Sequence, residues 1–371
     1  MKTSILRLWL ALAAFATAAT LPAQTVTTLN LVPTPAGGSL VIYWPAALTN
    51  GVIQYSTALT PANWITLSNA VPVQAILVSN TLPAGFFRYY QTSVTVSMNN
   101  GMAVISPVPF TMGDTLDGES DALPVSVTLS AFGMDTNLVT YAEWQAIYNW
   151  ATNHGYSFDN PGAGQASGHP VQTVNWYDTV KWCNARSQQA GLPPVYFTDA
   201  GLTRVYTNGD VNAISVNWNT NGYRLPTEAE WEMAARGGLV GQRFPGGNTL
   251  SETNANYYAS PGMLAYDAGP AGYNPAGATG AVPYTTPAGS FPANGYGLTD
   301  MAGNVAEWCW DWYGTAYAGG SNPKGPATGQ YRVLRGGSWD SLANVVRCAS
   351  RSIDTPTDAR YDAGFRCVRH Q

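Results

Sequence analysis

The chain has 371 residues, of which 45% are hydrophobic and only 11% are charged. This length predicts one large domain or two unequal domains. The charged fraction is well below the roughly 25% of a typical soluble domain. Its 38 glycines, 25 prolines and 13 tryptophans predict many turns and much aromatic packing. A formal net charge of −5 argues against nucleic-acid binding, which requires clustered lysine and arginine.

The first 24 residues have the pattern of a cleaved secretory signal peptide. Lys2 and Arg7 precede the apolar run LWLALAAFATAA, and small residues then lead to TLPAQ. The run is shorter than the ~20 residues of a membrane span, and no later run reaches that length, so a membrane-spanning protein is not expected. An uncleaved anchor is the alternative. We therefore expect a secreted or periplasmic protein in an oxidising compartment, where disulfides persist.

Residues 25–98 contain short β-branched and aromatic runs with a period of two, such as SLVIYW and GVIQYS. Turn segments such as TPAGG and LTNG separate them, a pattern that predicts a small β-sandwich of the immunoglobulin or fibronectin kind. The segment has no cysteine or histidine and few charged residues. We expect it to be an accessory domain for adhesion or spacing.

Residues 104–371 form the second predicted domain, and three capping-box patterns predict its helices. These begin at Thr140 (TYAE), Asn175 (NWYD) and Thr227 (TEAE), and the third helix should end at the glycine pair 237–238. The apolar faces of the first two comprise Trp144, Ile147, Tyr148 and Ala151, and Trp176, Val180 and Cys183. Long loops follow, and loops of that length are usually functional or held by metals or disulfides.

Standard catalytic motifs are absent from the chain. It has no HExxH, GxSxG, GxxxxGK[ST] or CxxC sequence, and its three histidines are not spaced as a ligand pair. The four cysteines are Cys183, Cys309, Cys348 and Cys367. In an exported chain an even number favours disulfides, with three possible pairings, over a thiolate metal site or nucleophile.

Two short stretches concentrate polar groups. In LTDMAGNVAEWCWDW, Asp300 and Glu307 flank a glycine turn, which suits the hard oxygen ligands of calcium. The alternative is that Glu307 caps a helix or pairs with an arginine. The alternating tryptophans that follow predict a half-buried strand at 308–312. In RGGSWDSLANVVRCASR, Ser338, Trp339 and Ser341 could line an active site or belong to a well-tied surface loop.

Several ordered motifs resemble those of the formylglycine-generating enzymes, the sulfatase-modifying factor family. They are HPVQTVNWYDTVKWCNARSQQAGLPPVY, NGYRLPTEAEWEMAARGG, NGYGLTDMAGNVAEWCWDWYG, NPKGPATGQYRVLRGGSW and AGFRCVR. The resemblance covers residues 105–371 and does not extend to the N-terminal β-domain. It implies an α+β fold with little regular secondary structure, similar to the C-type lectin fold, and bound calcium.

The resemblance also implies positions for calcium ligands. One set comprises the carbonyls of Asp300, Gly303 and Val305 with the carboxylate of Glu307, and the other comprises Asn256, the Tyr257 carbonyl and Asp267.

In catalytic family members the loop after GGS carries two cysteines that bind Cu(I). They activate oxygen and convert a substrate cysteine of a sulfatase to formylglycine. Here that loop reads WDSLANVV, so the first cysteine position is Ser341 and the second has no counterpart. A hydroxyl cannot replace a thiolate toward Cu(I). The resemblance therefore implies that this copper chemistry is absent, with Ser338 retained only as a pocket residue.

The resemblance places Cys183 and Cys367 where the family forms a disulfide. Cys348 falls on half of another, and because its partner position is Ala235, Cys309 becomes the expected substitute.

Two functions are compatible with these features. The first is an exported, calcium-stabilised module that binds an extracytoplasmic peptide, protein or glycan. The second is an oxidase, either of the formylglycine-generating type with Cys309 and Cys348 as an improvised copper pair, or with unrecognised ligands. We expect the first, with calcium as cofactor and without copper.

Overall fold

The computed structural model describes residues 101–107 and 109–371, together with the backbone of seven strands between positions 30 and 99. The predicted signal peptide lies outside the described residues. The chain divides into two units, Met1–Val94 and Thr95–Gln371. The domain ranges inferred from sequence, 25–98 and 104–371, stay predictions beside this division.

The first unit contains short antiparallel strands, as its alternating pattern predicts. Two three-stranded sheets are described, with the orders β1-β2-β5 and β4-β3-β6. The packing of the two sheets into a sandwich stays a prediction. The strands are β1 Asn30–Pro33, β2 Ser39–Tyr43, β3 Gly51–Ser56, β4 Ile65–Thr66, β5 Ala75–Ser79 and β6 Phe86–Gln91.

The second unit contains three helices among its described residues: α1 Tyr141–Thr152, α2 Trp176–Gln189 and α3 Glu228–Arg236. All three predicted capping boxes are present, since each cap side chain accepts a hydrogen bond from the third helical amide. No described helix is long and apolar enough to cross a membrane.

The end of α3 is fixed by a glycine that no other residue could easily replace. Gly237 has φ 55°, in the left-handed region. A Cβ at this position would lie 2.8 Å from the nitrogen of Gly295, so a side chain would force the neighbouring loop apart.

Many small sheets make up the rest of the second unit. The two largest are four-stranded, β21-β11-β8-β7 and β19-β18-β16-β20, and they accompany the three-stranded sheet β17-β10-β9 and two two-stranded sheets. The strands are β7 Met98–Asn99, β8 Met102–Ile105, β9 Pro109–Met112, β10 Val125–Thr128, β11 Phe132–Asp135, β12 Tyr196–Phe197, β13 Ser215–Val216, β14 Tyr258–Ala259, β15 Gly272–Tyr273, β16 Ala306–Trp312, β17 Gly320–Ser321, β18 Arg332–Arg335, β19 Ser352–Asp354, β20 Ala363–Gly364 and β21 Val368–His370.

The tryptophan-rich segment forms β16, but the expectation that this strand is half-buried is wrong. Six of its seven residues are buried, and Trp310 is partly buried. The reason is that hydrophobic clusters cover both faces. Trp308 belongs to the cluster that contains Trp176 of α2, whereas Cys309 belongs to the cluster that contains Trp231 of α3. A strand covered on both faces shows no polar side.

Strand β21 joins two distant parts of the second unit. It pairs with β11, so that Phe132 lies opposite His370. Val368 also exchanges two backbone hydrogen bonds with Arg224, of 2.8 and 2.9 Å. The residues before β21 are buried as well, and Arg366 and Cys367 are both inaccessible to solvent.

Candidate functional site

A sharp turn after β18 places the two predicted pocket serines side by side. Gly336 and Gly337 have φ values of 82° and 62°, and a Cβ on Gly337 would lie 2.7 Å from the Val346 side chain. We call residues 336–341 the serine loop. The turn directs Ser338 toward Ser341, whose hydroxyl accepts the Ser338 backbone N–H at 3.0 Å.

The hydroxyl groups of the serine loop form hydrogen bonds with other side chains of the protein. The Ser338 and Ser341 Oγ atoms are 3.2 Å apart, and the Ser338 hydroxyl also donates to Asp362 Oδ2 at 3.3 Å. Asp362 is held by two hydrogen bonds from Arg360, of 2.6 and 2.7 Å. Hydrogen bonds between polar side chains therefore hold the loop, and the loop contains no thiol. The sequence did not single out Asp362 or Arg360, which lie beyond the serine loop in a later segment of the chain.

Aromatic rings surround Trp339 on this loop. Trp339 is 2% exposed, and its ring centroid lies 5.6, 5.3 and 5.9 Å from those of Tyr273, Tyr284 and Tyr361. Tyr258 joins the group through Tyr273, at 4.7 Å. We call these five residues the aromatic site. Tyr273 is 38% and Tyr361 is 51% exposed, so the group reaches the protein surface.

The aromatic site also contains polar atoms that a ligand could use. The Tyr273 hydroxyl donates to Asp340 Oδ1 at 2.9 Å, and this bond to a carboxylate raises the tyrosine pKa to about 12. The indole N–H of Trp339 is buried and has no hydrogen-bond partner in the described structure. An unpaired buried donor is uncommon in folded proteins. The site thus combines apolar ring faces with a free donor.

The candidate calcium loop is a tight turn with left-handed backbone at Asp300, Gly303 and Asn304, whose φ values are 54°, 78° and 68°. Asp300 Oδ2 accepts the Gly289 N–H at 2.6 Å. Asp300 Oδ1 is buried and has no hydrogen-bond partner in the part of the chain that the structure describes, and burial raises the pKa of this carboxyl. A hard cation such as calcium would satisfy that oxygen. A calcium ion here would contact the side chain of Asp300, whereas the resemblance implied its carbonyl, and calcium binding by this loop stays a prediction.

Glu307 is bound to an arginine, the alternative that the sequence left open. Both residues are fully buried, and Arg366 donates from Nε to Oε2 at 2.7 Å and from Nη2 to Oε1 at 2.9 Å. Arg366 also donates to the Thr299 carbonyl at 2.9 Å. Calcium binding by Glu307 stays a prediction, and Glu307 has an ion-pair role that does not require a metal.

The remaining residues of the first predicted set connect the calcium loop to the serine loop. The Gly303 N–H donates to the Gly336 carbonyl at 2.8 Å, and Val305 is buried directly before β16. Asn256, from the second predicted set, lies beside the same turn, where its carbonyl accepts the Asn304 N–H at 2.8 Å. The Asn256 side chain donates to the Tyr284 carbonyl at 2.8 Å.

Asp267 and Asn256 of the second predicted calcium set make hydrogen bonds in different networks. Asp267 accepts hydrogen bonds from the Tyr257 hydroxyl at 2.6 Å, the Ser260 N–H at 2.7 Å and the Gly269 N–H at 3.2 Å. These donors use both carboxylate oxygens, and Asn256 belongs to a different network. The contacts give Asp267 a role in holding its own loop, and its calcium role stays a prediction.

All four cysteines are buried free thiols in the structure. The sulfur atoms of Cys183 and Cys367 are 3.6 Å apart, so the disulfide implied for them would join neighbours and stays a prediction. The implied partnership of Cys309 and Cys348 is not seen, because no contact between their sulfur atoms is found among the described side chains.

Cys309 and Cys348 belong to the same hydrophobic cluster but have different charged neighbours on α3. Cys309 lies near Glu228 in the first turn of α3, whereas Cys348 lies near Arg236 in its last turn. Burial raises the pKa of both thiols, that of Cys348 to about 12. The thiolate form, which binds soft metals, is therefore disfavoured at both positions.

Comparison with known proteins identifies the family. Residues 90–371 match the family model for the sulfatase-modifying factor enzyme 1-like domain. The chain belongs to this family.

Among curated relatives, serine/threonine-protein kinase pkn1 of Chlamydia pneumoniae is 42% identical over 277 residues, covering 72% of this chain. The chain spans only 38% of the length of that relative. A formylglycine-generating enzyme of Thermomonospora curvata is 33% identical over 299 residues, covering 72% of this chain and 93% of the enzyme.

Among solved structures, Treponema denticola variable protein 1 superposes with a TM-score of 0.57 at 32% identity, covering 73% of this chain and 95% of that one. This structure supports the α+β fold expected for the second unit.

Proposed function

We propose that this family member is an exported binding module that holds a peptide or glycan at the aromatic site and lacks copper oxidase chemistry. The observation that carries the proposal is the composition of the serine loop. Hydroxyls bonded to each other occupy the place where the resemblance puts a thiolate, and partly exposed aromatic rings surround them.

Copper chemistry is disfavoured by the donor set of the loop. Cu(I) prefers thiolate or thioether ligands, and Ser338, Ser341 and Asp362 offer only hard oxygen atoms. The four thiols are buried, and burial raises the pKa of the Cys309 and Cys348 thiols, which disfavours the thiolate form that binds Cu(I). Among the described residues, no cysteine sulfur atom is hydrogen-bonded to the serine loop.

Ligand binding is favoured by the arrangement of the rings. Tyrosine and tryptophan supply large contact areas together with polar atoms, which is why they are enriched in binding surfaces. Tyr273 and Tyr361 present exposed ring area, and Asp340 adds a carboxylate beside them. Such a surface suits the C–H face of a sugar ring or the side chains of a peptide.

We further propose that calcium at the Asp300 turn stiffens this surface. The turn is bonded to the serine loop through Gly303 and Gly336, and Asn256 connects it to the Tyr284 carbonyl. Calcium would supply a positive charge beside Asp300 Oδ1, which has no hydrogen-bond partner among the described residues. We expect calcium to raise the melting temperature and Asp300→Asn to abolish that increase.

The binding proposal is tested with exposed tyrosines, because their replacement should leave the fold intact. Tyr273→Ala and Tyr361→Ala are compared with Tyr331→Ala, a control that is 39% exposed and makes no ring contact with the aromatic site. Binding is measured by affinity electrophoresis in gels containing soluble polysaccharides and by titration with a panel of unstructured peptides. We expect at least about tenfold weaker binding for the two site variants only.

The oxidase alternative is tested on the same preparations. Thiols are counted by alkylation in the folded and in the denatured protein, and Cu(I) is titrated against a competing chelator. We expect no thiol to react in the folded protein and no competition for Cu(I). Joint labelling of Cys309 and Cys348 with Cu(I) binding would contradict the proposal, as would binding that survives replacement of both tyrosines.

A further inference from the structure

A concave site lies in the second unit and shares no residue with the aromatic site. It is a cavity of about 150 Å³ that we call the Lys324 pocket. Its walls include an indole ring, amide groups and two cations, contributed by Trp218, Asn219, Arg224, Asn322, Lys324 and His370.

The pocket carries an uncompensated positive charge. Arg224 donates two hydrogen bonds of 2.7 Å to Glu230, so that its charge is balanced. Lys324 forms no ion pair with any described carboxylate. Partial desolvation and the charge of Arg224 lower the pKa of Lys324, and the carboxylate of Glu230, which also lines the pocket, partly opposes them. In a chain with a net charge of −5, this cation is available to an anionic ligand.

The lysine is exposed at the mouth of the pocket and contacts the indole wall before any ligand arrives. Its ammonium group lies 4.2 Å from the centroid of the Trp218 ring. The turn that carries it is fixed at Asn322, which donates from its backbone to the Thr128 carbonyl at 2.8 Å. The Asn322 amide group also makes two hydrogen bonds with Ser130, of 2.8 and 3.0 Å. Fixing the cation in advance reduces the entropy lost on binding.

The Trp218 ring, which forms one wall of the pocket, packs against a second aromatic ring. Trp310 packs edge-on against Trp218 at 5.7 Å, and Tyr196 stacks on Trp310 at 5.4 Å. The pocket thus has one rigid apolar wall.

The size of the cavity limits the ligand. The pocket volume of about 150 Å³ opens to the surface, where Asn219, Lys324 and His370 are exposed, so one ring can lie against the indole wall with its polar substituents toward the opening. The lining offers the Asn219 amide and the Ser130 hydroxyl beside the Trp218 ring and the Lys324 ammonium group. We infer that the Lys324 pocket binds a carboxylate carried on one six-membered, hydroxylated ring, that is, a uronic acid residue. This inference does not rest on the function proposed for the aromatic site.

The test is calorimetric titration of the whole protein with D-glucuronate at low ionic strength. D-Glucose, which lacks the charge, and cyclohexanecarboxylate, which lacks the hydroxyls, are the matched probes. We expect binding of glucuronate that weakens at physiological ionic strength, because part of the pocket is exposed and its charges are screened. Both matched probes should bind at least about tenfold more weakly.

Two variants locate the binding. Lys324→Gln removes the charge but keeps much of the side chain, and should weaken glucuronate binding at least about tenfold. Arg204→Ala removes an exposed cation outside the pocket and should leave the affinity unchanged. Melting temperatures of both variants should match the parent protein.

Three outcomes would overturn the inference. No heat of binding with glucuronate would show that the pocket is not a site for this ligand class. An affinity unchanged by Lys324→Gln would place any binding elsewhere. Equal affinity for cyclohexanecarboxylate would exclude a sugar acid as the specific ligand.

Discussion

The buried pair of Glu307 and Arg366 gives the sharpest test of how the second unit is stabilised. Glu307→Gln keeps the size of the side chain but removes its charge, and leaves a fully buried guanidinium without its carboxylate. Breaking a buried ion pair from one side typically costs about 3–5 kcal/mol, because the remaining charge stays desolvated. At about 2–4 °C per kcal/mol, the melting temperature should fall by roughly 6–20 °C.

The assay is urea and thermal unfolding, in a calcium chelator and in excess calcium. If Glu307 acts through Arg366, the loss of stability should be the same in both conditions, and Glu307→Gln should retain any stabilisation by calcium. An exposed pair provides the control: Arg360 is 44% exposed where it contacts Asp354, so Asp354→Asn should cost about 1 kcal/mol or less.

A double variant separates the pair from its surroundings. Glu307→Leu combined with Arg366→Met removes both charges and should recover much of the stability lost by Glu307→Gln. The reasoning is refuted if Glu307→Gln is as stable as the parent in chelator and loses only the calcium-dependent increase. That result would make Glu307 a calcium ligand and not a partner of Arg366.

Two further perturbations address buried groups. Burial beside Glu228 raises the pKa of Asp311 to about 8, so the folded state holds a proton that the unfolded state releases near pH 4. The free energy of unfolding should therefore fall as pH rises from about 4 to about 8. Asp311→Asn should flatten this pH dependence, measured by urea titration at several pH values. A pH profile that the substitution leaves unchanged would contradict the raised pKa. Cys183→Ser should reduce the yield of folded protein under oxidising conditions and have little effect under reducing ones, because the Cys183 and Cys367 sulfurs are adjacent; equal yields in both conditions would exclude a bridge.

Local features of the fold could be predicted from the sequence because a few neighbouring residues determine them. A capping box needs only a hydroxyl or amide and a carboxylate three positions apart, and Thr140, Asn175 and Thr227 all begin helices. The end of α3 at Gly237 has the same local origin. These signals hold whatever the tertiary structure around them.

Features that depend on distant contacts could not be predicted in the same way. The burial of both faces of β16 depends on where α2 and α3 pack, which the alternation of tryptophans does not encode. Arg366 lies 59 positions from Glu307, and spacing could not select it as the partner.

The aromatic site was only partly visible in the sequence. Trp339 stood out beside the serines, but the surrounding tyrosines come from separate segments around positions 258, 273, 284 and 361. Nothing in the local sequence of these tyrosines shows that they meet. The Lys324 pocket could not be predicted from local sequence either, because Lys324 and Trp218 are more than 100 positions apart.

The position of β21 has a consequence for the order in which the protein can be made and folded. Arg366, Cys367 and Val368 complete the interior and join β11 to Arg224, yet the ribosome adds them after nearly all of the second unit. A nascent chain without them lacks the cation opposite Glu307 and one strand of a four-stranded sheet. The second unit should therefore reach its final structure only after residues 366–368 have left the ribosome, so the late-made residues decide when its interior closes.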